Sequence, residues 1–143
     1  MKTALRSIGV VLGLLGVTLI ILHLNGIEFG TESASLVAGG ARWSGSLAPD
    51  DIEARSRVMG SVGVIVGVLT TVAGVALVLL RRWAIWFALV PVSLTLLFAP
   101  FSRLILPPHL RFTGPDIWDF AEASVIAVVV SAAVIFRNGL KDA

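Results

Sequence analysis

An all-α integral membrane protein, an up-down bundle of four transmembrane helices, is the fold class this sequence predicts, and three observations predict it. The apolar residues gather into four blocks, about 7–24, 57–80, 83–101 and 117–136. Each is close to the roughly 20 residues that cross a bilayer core of about 30 Å. The chain is 57% hydrophobic and 14% charged, with a mean hydropathy of +0.96, whereas soluble domains carry roughly 25% charged residues. The third observation is a stripe of small residues in the second block, where Gly60, Gly63, Gly67, Thr70 and Gly74 recur at alternating steps of three and four. On a helix that spacing stacks them on one face, and a glycine face lets a neighbouring backbone come close.

The first block, 7–24, follows Lys2 and Arg6 and carries its own stripe, Gly9, Gly13 and Gly16, continuing through Ile20 to His23. A basic start before an apolar run also suits a signal peptide. The nearest small-x-small site, Ser33-Ala34-Ser35, lies well beyond the apolar run, so the block is read as a span. The two glycine stripes are expected to pack together, making the first two helices the closest pair.

Residues 25–56 are read as a long external loop, rich in Gly, Ser and Ala without a sustained period. Ile27, Phe29, Leu36, Val37 and Trp43 flank Gly39-Gly40 and suit a short hairpin or a surface-lying loop. Asp50 and Glu53 form a capping-box pattern that opens the second helix, and Glu53 stands four residues before Arg57 in the favourable order for an ion pair. That helix is expected to begin above the membrane. Arg81-Arg82 makes the next connection, and Trp83 and Trp86 follow as an interfacial belt. So short a turn requires an antiparallel hairpin.

The third helix carries Pro91 near its middle, which predicts a kink there. A second external loop spans 102–116, with Pro107-Pro108, Arg103 and Arg111, and Gly114-Pro115 opens the fourth helix. Lys2, Arg6, Arg81, Arg82, Arg137 and Lys141 crowd three short segments on the side of the termini, while eight of the nine acids fall on the other side. By Lys and Arg density this places both termini in the cytoplasm, in a multi-pass protein of the cell membrane.

The sequence pI near 9.9 does not imply nucleic acid, because the basic residues flank apolar blocks and read as topology signals. With no cysteine in the chain, disulfide exchange, thiolate metal sites and lipoprotein acylation are excluded. No nucleophile–base constellation, zinc helix, phosphate loop or nucleotide fingerprint is present, and the mid-membrane hydroxyls Thr18, Thr70, Thr71, Ser93 and Thr95 are expected to bond back to their own helices. No catalytic residue, metal or cofactor is assigned. A metal or haem site would need His23, His109 and an acid such as Glu28, with no spacing signature behind it.

What remains is a convergence of charge at the outer end. Extending the stripe of the second helix by one turn reaches Arg57, and that of the first reaches His23. Asp116 and Asp119 align with the small face of the fourth helix, Glu122 lies deeper, and Arg103 leaves the third helix at the same level. His23, Arg57, Arg103, Asp119 and Glu122 are therefore the candidate ligand-binding set. The two arginines are expected to hold Asp119 and Glu122, either as register-fixing ion pairs or as an outward pocket for a small anion, a lipid headgroup or a proton.

Arg57 before a glycine helix, Arg103 after the third helix, then Gly114-Pro115 and Glu122 in the fourth together resemble small uncharacterised four-helix bacterial membrane proteins. That resemblance implies the four-span fold and carries no known activity. A claudin-like plan is similar in topology alone, because the paired loop cysteines are missing. The functional expectation is a non-enzymatic accessory or self-associating protein, partnered by the bilayer and by another membrane protein or a second copy. The alternative is a small-ligand, lipid-headgroup or ion binder or transporter.

Overall fold

The computed structural model describes residues 2–38, 48–107 and 117–136, the side chains of 33–38, 99, 103 and 117–119 excepted. Every element among them is helical: α1 (Lys2–Ala38), α2 (Pro49–Val78), α3 (Ala84–Phe87), α4 (Leu89–Ile105) and α5 (Ile117–Ile135). The most extensive packing is between α1 and α2; α2 also meets α4, α4 meets α5, and α5 returns to α1. The shared core takes Leu5, Leu12 and Leu19 from α1, Val66, Ala73 and Leu77 from α2, and Ile126, Val130 and Ala133 from α5. Buried positions three and four apart on each helix give that inward stripe.

Two helices, α1 and α2, are long and apolar enough to cross a membrane. At 1.5 Å per residue they reach roughly 55 and 45 Å, well beyond the roughly 30 Å of a hydrocarbon core. The apolar helices within Ala84–Phe98 and Phe120–Ile135 are shorter.

The helix boundaries correct the sequence reading at several points. Residues 25–38, expected as loop or hairpin, continue α1. They are helical because α2 gives them something to pack on: a Cβ on Gly60 would overlap Ile27, and one on Gly30 would overlap Ser56. Helical stability of this kind comes from tertiary contact more than from propensity. Trp43 lies outside the described residues, as does most of the second predicted loop. The capping box is also replaced. Ala48 is the N-cap, in extended conformation and without a side-chain hydrogen bond, and Pro49 opens α2 with its φ already preset. Asp50 and Asp51 instead occupy the first turn, facing the positive end of the helix.

Pro91 does not kink the middle of a single third helix. The segment is divided at Ala88, and Pro91 lies in the first turn of α4. The proline ring crowds the carbonyl four residues earlier, that of Phe87, and supplies it with no N–H, so the helix breaks one turn upstream. Between α2 and α3 the chain reverses through Leu80, whose φ is 57°, the left-handed region that non-glycine residues rarely adopt. The Leu80 N–H donates to the Leu77 carbonyl at 3.0 Å and the Arg81 N–H to Ala76 at 2.8 Å. This pair of bonds is the Schellman stop. Glycine normally takes that position; Leu80 is held there by its buried side chain, part of the core.

Candidate functional site

The contact between α1 and α2 builds the site. The helices run antiparallel in one continuous register, and the close approaches are made by glycines. A Cβ on Gly9 would sit 2.7 Å from the Gly74 carbonyl oxygen, and one on Gly16 2.6 Å from that of Gly67. On α2, a Cβ on Gly67 would meet the Gly16 oxygen at 2.8 Å, and one on Gly74 the Gly9 oxygen at 2.7 Å. Separations under 3.0 Å are essentially never seen for real Cβ atoms, so these four positions require hydrogen as the side chain. Gly13 differs: Gly74 packs against its backbone, yet its own Cβ direction meets nothing within 4 Å.

One turn further along, the same register sets the His23 imidazole over Gly63, where a Cβ would overlap the ring, and brings Gly60 against Ile27 and the His23 carbonyl. Thus Gly60 and Gly63 clear the space in which His23 lies. From α5, Glu122 reaches the ring, and His23 Nε2 and Glu122 Oε1 are 3.0 Å apart. The two side chains are 23% and 21% exposed, more than three-quarters withdrawn from water. When Glu122 is a carboxylate it only accepts, and Nε2 is then the donor, in either the neutral or the cationic ring. Such a bond is charge-assisted, stronger than a neutral one.

His23 borders two spaces. One is an open cleft of about 250 Å³, lined by His23, Gly26, Arg55, Ser56, Met59 and Gly60. The other is a cavity of about 20 Å³ bordered by His23, Val66, Thr95, Phe98 and Glu122, room for about one water. The Thr95 hydroxyl donates to the Pro91 carbonyl at 2.9 Å.

The predicted set of five is therefore only partly assembled. His23 and Glu122 meet. Arg57 does not join them: its side chain is 65% exposed and binds Glu53 on its own helix, the i,i+4 pair expected from the spacing. Of the expectation that Arg57 and Arg103 hold Asp119 and Glu122, the described side chains show Arg57 on Glu53 and Glu122 on His23 instead. Arg103 and Asp119 fall within α4 and α5, but their side chains lie outside the described residues, as do Asp116 and His109. Glu28 is exposed on α1. Among the described residues no group of three or more His, Asp or Glu comes together as a metal site.

Arg55, Ser56 and Met59 are cleft residues that the sequence reading missed. The signal was present. Continued strictly, the alternation of steps of four and three back from Gly74 lands on Ser56 rather than Arg57, and Ser56 is the residue that faces Gly30. Comparison of the chain with family models, with curated proteins and with solved structures finds no match.

Proposed function

We propose that this chain is a small polytopic membrane protein that works by association rather than by catalysis or transport, as an accessory subunit or a self-associating protein. In this reading α3 with α4 and α5 cross the bilayer beside α1 and α2 in an up-down bundle, with both termini cytoplasmic. The observation that carries it is the fate of the mid-membrane polar groups. The hydroxyls of Thr18, Thr70 and Thr71 donate to the carbonyls of Leu14, Val66 and Gly67, and Thr95 does the same. Side chains satisfied within their own helix do not line a polar route, and a transporter needs one.

The outward surface supports the membrane assignment. Val10, Leu14, Val17 and Ile21 on α1 and Val68, Val72 and Val75 on α2 are exposed, and only 22% of the apolar window of α1 is buried. An apolar face of that extent is stable in lipid or against another helix, not in water. A cysteine placed at Ser44 should be labelled from outside sealed cells and one at Ala143 should not; the reverse would overturn the topology.

A second reading is favoured by one specific observation, that His23, bonded to Glu122, also lines a cleft that holds Arg55. In it the outer end binds a small anion or a lipid headgroup. Purification in mild detergent decides between the two. A stoichiometric protein partner or a homodimer supports association, and a monomer carrying a bound small molecule that is lost with Glu122→Gln supports the second reading.

A further inference from the structure

The end of the fold opposite the His23–Glu122 pair carries a second concavity, of about 280 Å³, lined by Thr71, Val72, Val75, Ala76 and Leu79 of α2 and by Arg81 and Trp83 of the following turn. Ala76 is buried, and Val72, Val75 and Leu79 stand out from it, 42%, 52% and 62% exposed, so the groove opens along the outer face of α2. Its volume is just below the roughly 300–1,000 Å³ of sites that enclose a drug-sized ligand, and its side chains are apolar except for Thr71 and one cation. The Thr71 hydroxyl is already committed to the Gly67 carbonyl at 2.9 Å.

The cation is there because of the turn. The left-handed Leu80 folds the backbone back, so that the Arg81 N–H bonds the Ala76 carbonyl at 2.8 Å and Arg81 joins the groove of the helix it has just left. Trp83 is fixed beside it by edge-to-face packing on Phe87, with ring centroids 5.3 Å apart and planes at 88°. Arg82 and the exposed Trp86 follow at the same level. The antiparallel register, with Gly9 against Gly74 and Val78, brings Lys2 and Arg6 to this end as well. The Asp and Glu side chains of the described residues, Glu28, Glu32, Asp50, Asp51, Glu53 and Glu122, all belong to the other half.

An apolar groove bordered at one end by Arg81 and the Trp83 indole matches one ligand chemistry: a hydrocarbon chain joined to an anionic phosphate, with the indole at headgroup level. We propose that this groove seats an acyl chain of an anionic phospholipid whose phosphate is held by Arg81. The inference rests on the membrane reading given above. A zwitterionic lipid can offer the same chain, but net attraction to basic residues near the surface favours the anionic headgroup by about five-fold per cation.

The test uses the full chain with Trp43, Trp86 and Trp118 replaced by Phe, which leaves Trp83 as the sole indole of the original four. It is placed in nanodiscs of phosphatidylcholine with a minor fraction of phosphatidylglycerol, with brominated acyl chains on one lipid or the other. Bromine on phosphatidylglycerol should quench Trp83 at least about five-fold more per lipid than bromine on phosphatidylcholine, and Arg81→Gln should cut that ratio about five-fold. Equal quenching in the parent would overturn the site while leaving the membrane reading standing. Absence of quenching by either lipid would overturn the membrane reading itself. Native mass spectrometry of the natural chain gives a readout independent of the Trp replacements. Preferential retention of phosphatidylglycerol that is weakened in Arg81→Gln supports the proposal, and retention in proportion to supply refutes it.

Discussion

Substituting alanine at Gly16 and at Gly13, one turn apart on the same helix, should change stability in opposite directions. At Gly16 the new methyl would lie 2.6 Å from the Gly67 oxygen, where ordinary contact begins at 3.4 Å. Both partners are helix backbone, so neither can swing aside, and α1 and α2 would have to part by about 0.8 Å. A radial gap of that order forfeits roughly a quarter to a half of the dispersion energy across each contact, and overpacking of this kind typically costs about 1–3 kcal/mol. Removing glycine from a helix returns about 1 kcal/mol. At Gly13 nothing lies within 4 Å of the added methyl, and only the favourable term remains. The two variants should therefore differ by about 1–3 kcal/mol, with Gly16→Ala below the parent and Gly13→Ala at or above it. Equilibrium unfolding in mixed micelles, followed by helical circular dichroism, measures both. Equal effects of the same sign at the two positions would show that α1 and α2 are not in this register.

Three further outcomes follow from the geometry. Glu122→Ala should lower stability by about 1–3 kcal/mol, the range for leaving a buried hydrogen-bonding partner unsatisfied, and a double-mutant cycle with His23→Ala should recover a coupling of at least about 0.5 kcal/mol; additive losses would mean that the pair does not form. Arg57→Ala should stay within about 0.5 kcal/mol of the parent, because its partner is an exposed neighbour on its own helix, and a larger loss in the same unfolding assay would return Arg57 to the interior. At Leu80 both truncations lose the buried side chain, but only glycine relieves the left-handed backbone, so Leu80→Gly should be more stable than Leu80→Ala by about 1 kcal/mol, against the usual helix order. A thermal melt that ranks alanine above glycine would refute the strain argument.

His23 and Glu122 were both legible as candidates, but the bond between them was not. Periodicity says which residues share a face of one helix. It does not say how far two helices stand apart or how each is rotated, and those quantities choose between His23 and Arg57 as the partner of Glu122. The glycine contacts set both for α1 and α2. Helices that approach closely over Gly60 and Gly63 bring the short imidazole to Glu122, and the same rotation turns Arg57 out towards Glu53.

The sequence by itself determined where the apolar blocks lie, which faces carry the small residues, and that the first two helices carry apolar side chains on their outer faces as well. All of these follow from residue type and helical spacing alone. Only the tertiary structure decided that α1 runs on to Ala38, since that stretch is helical by virtue of packing on α2. It alone decided that the chain beyond α2 turns back to set Arg81 beside Ala76. Each of these depends on contacts between residues far apart in the chain or on a backbone reversal held by a buried side chain. A one-dimensional pattern of residue types does not encode those distances.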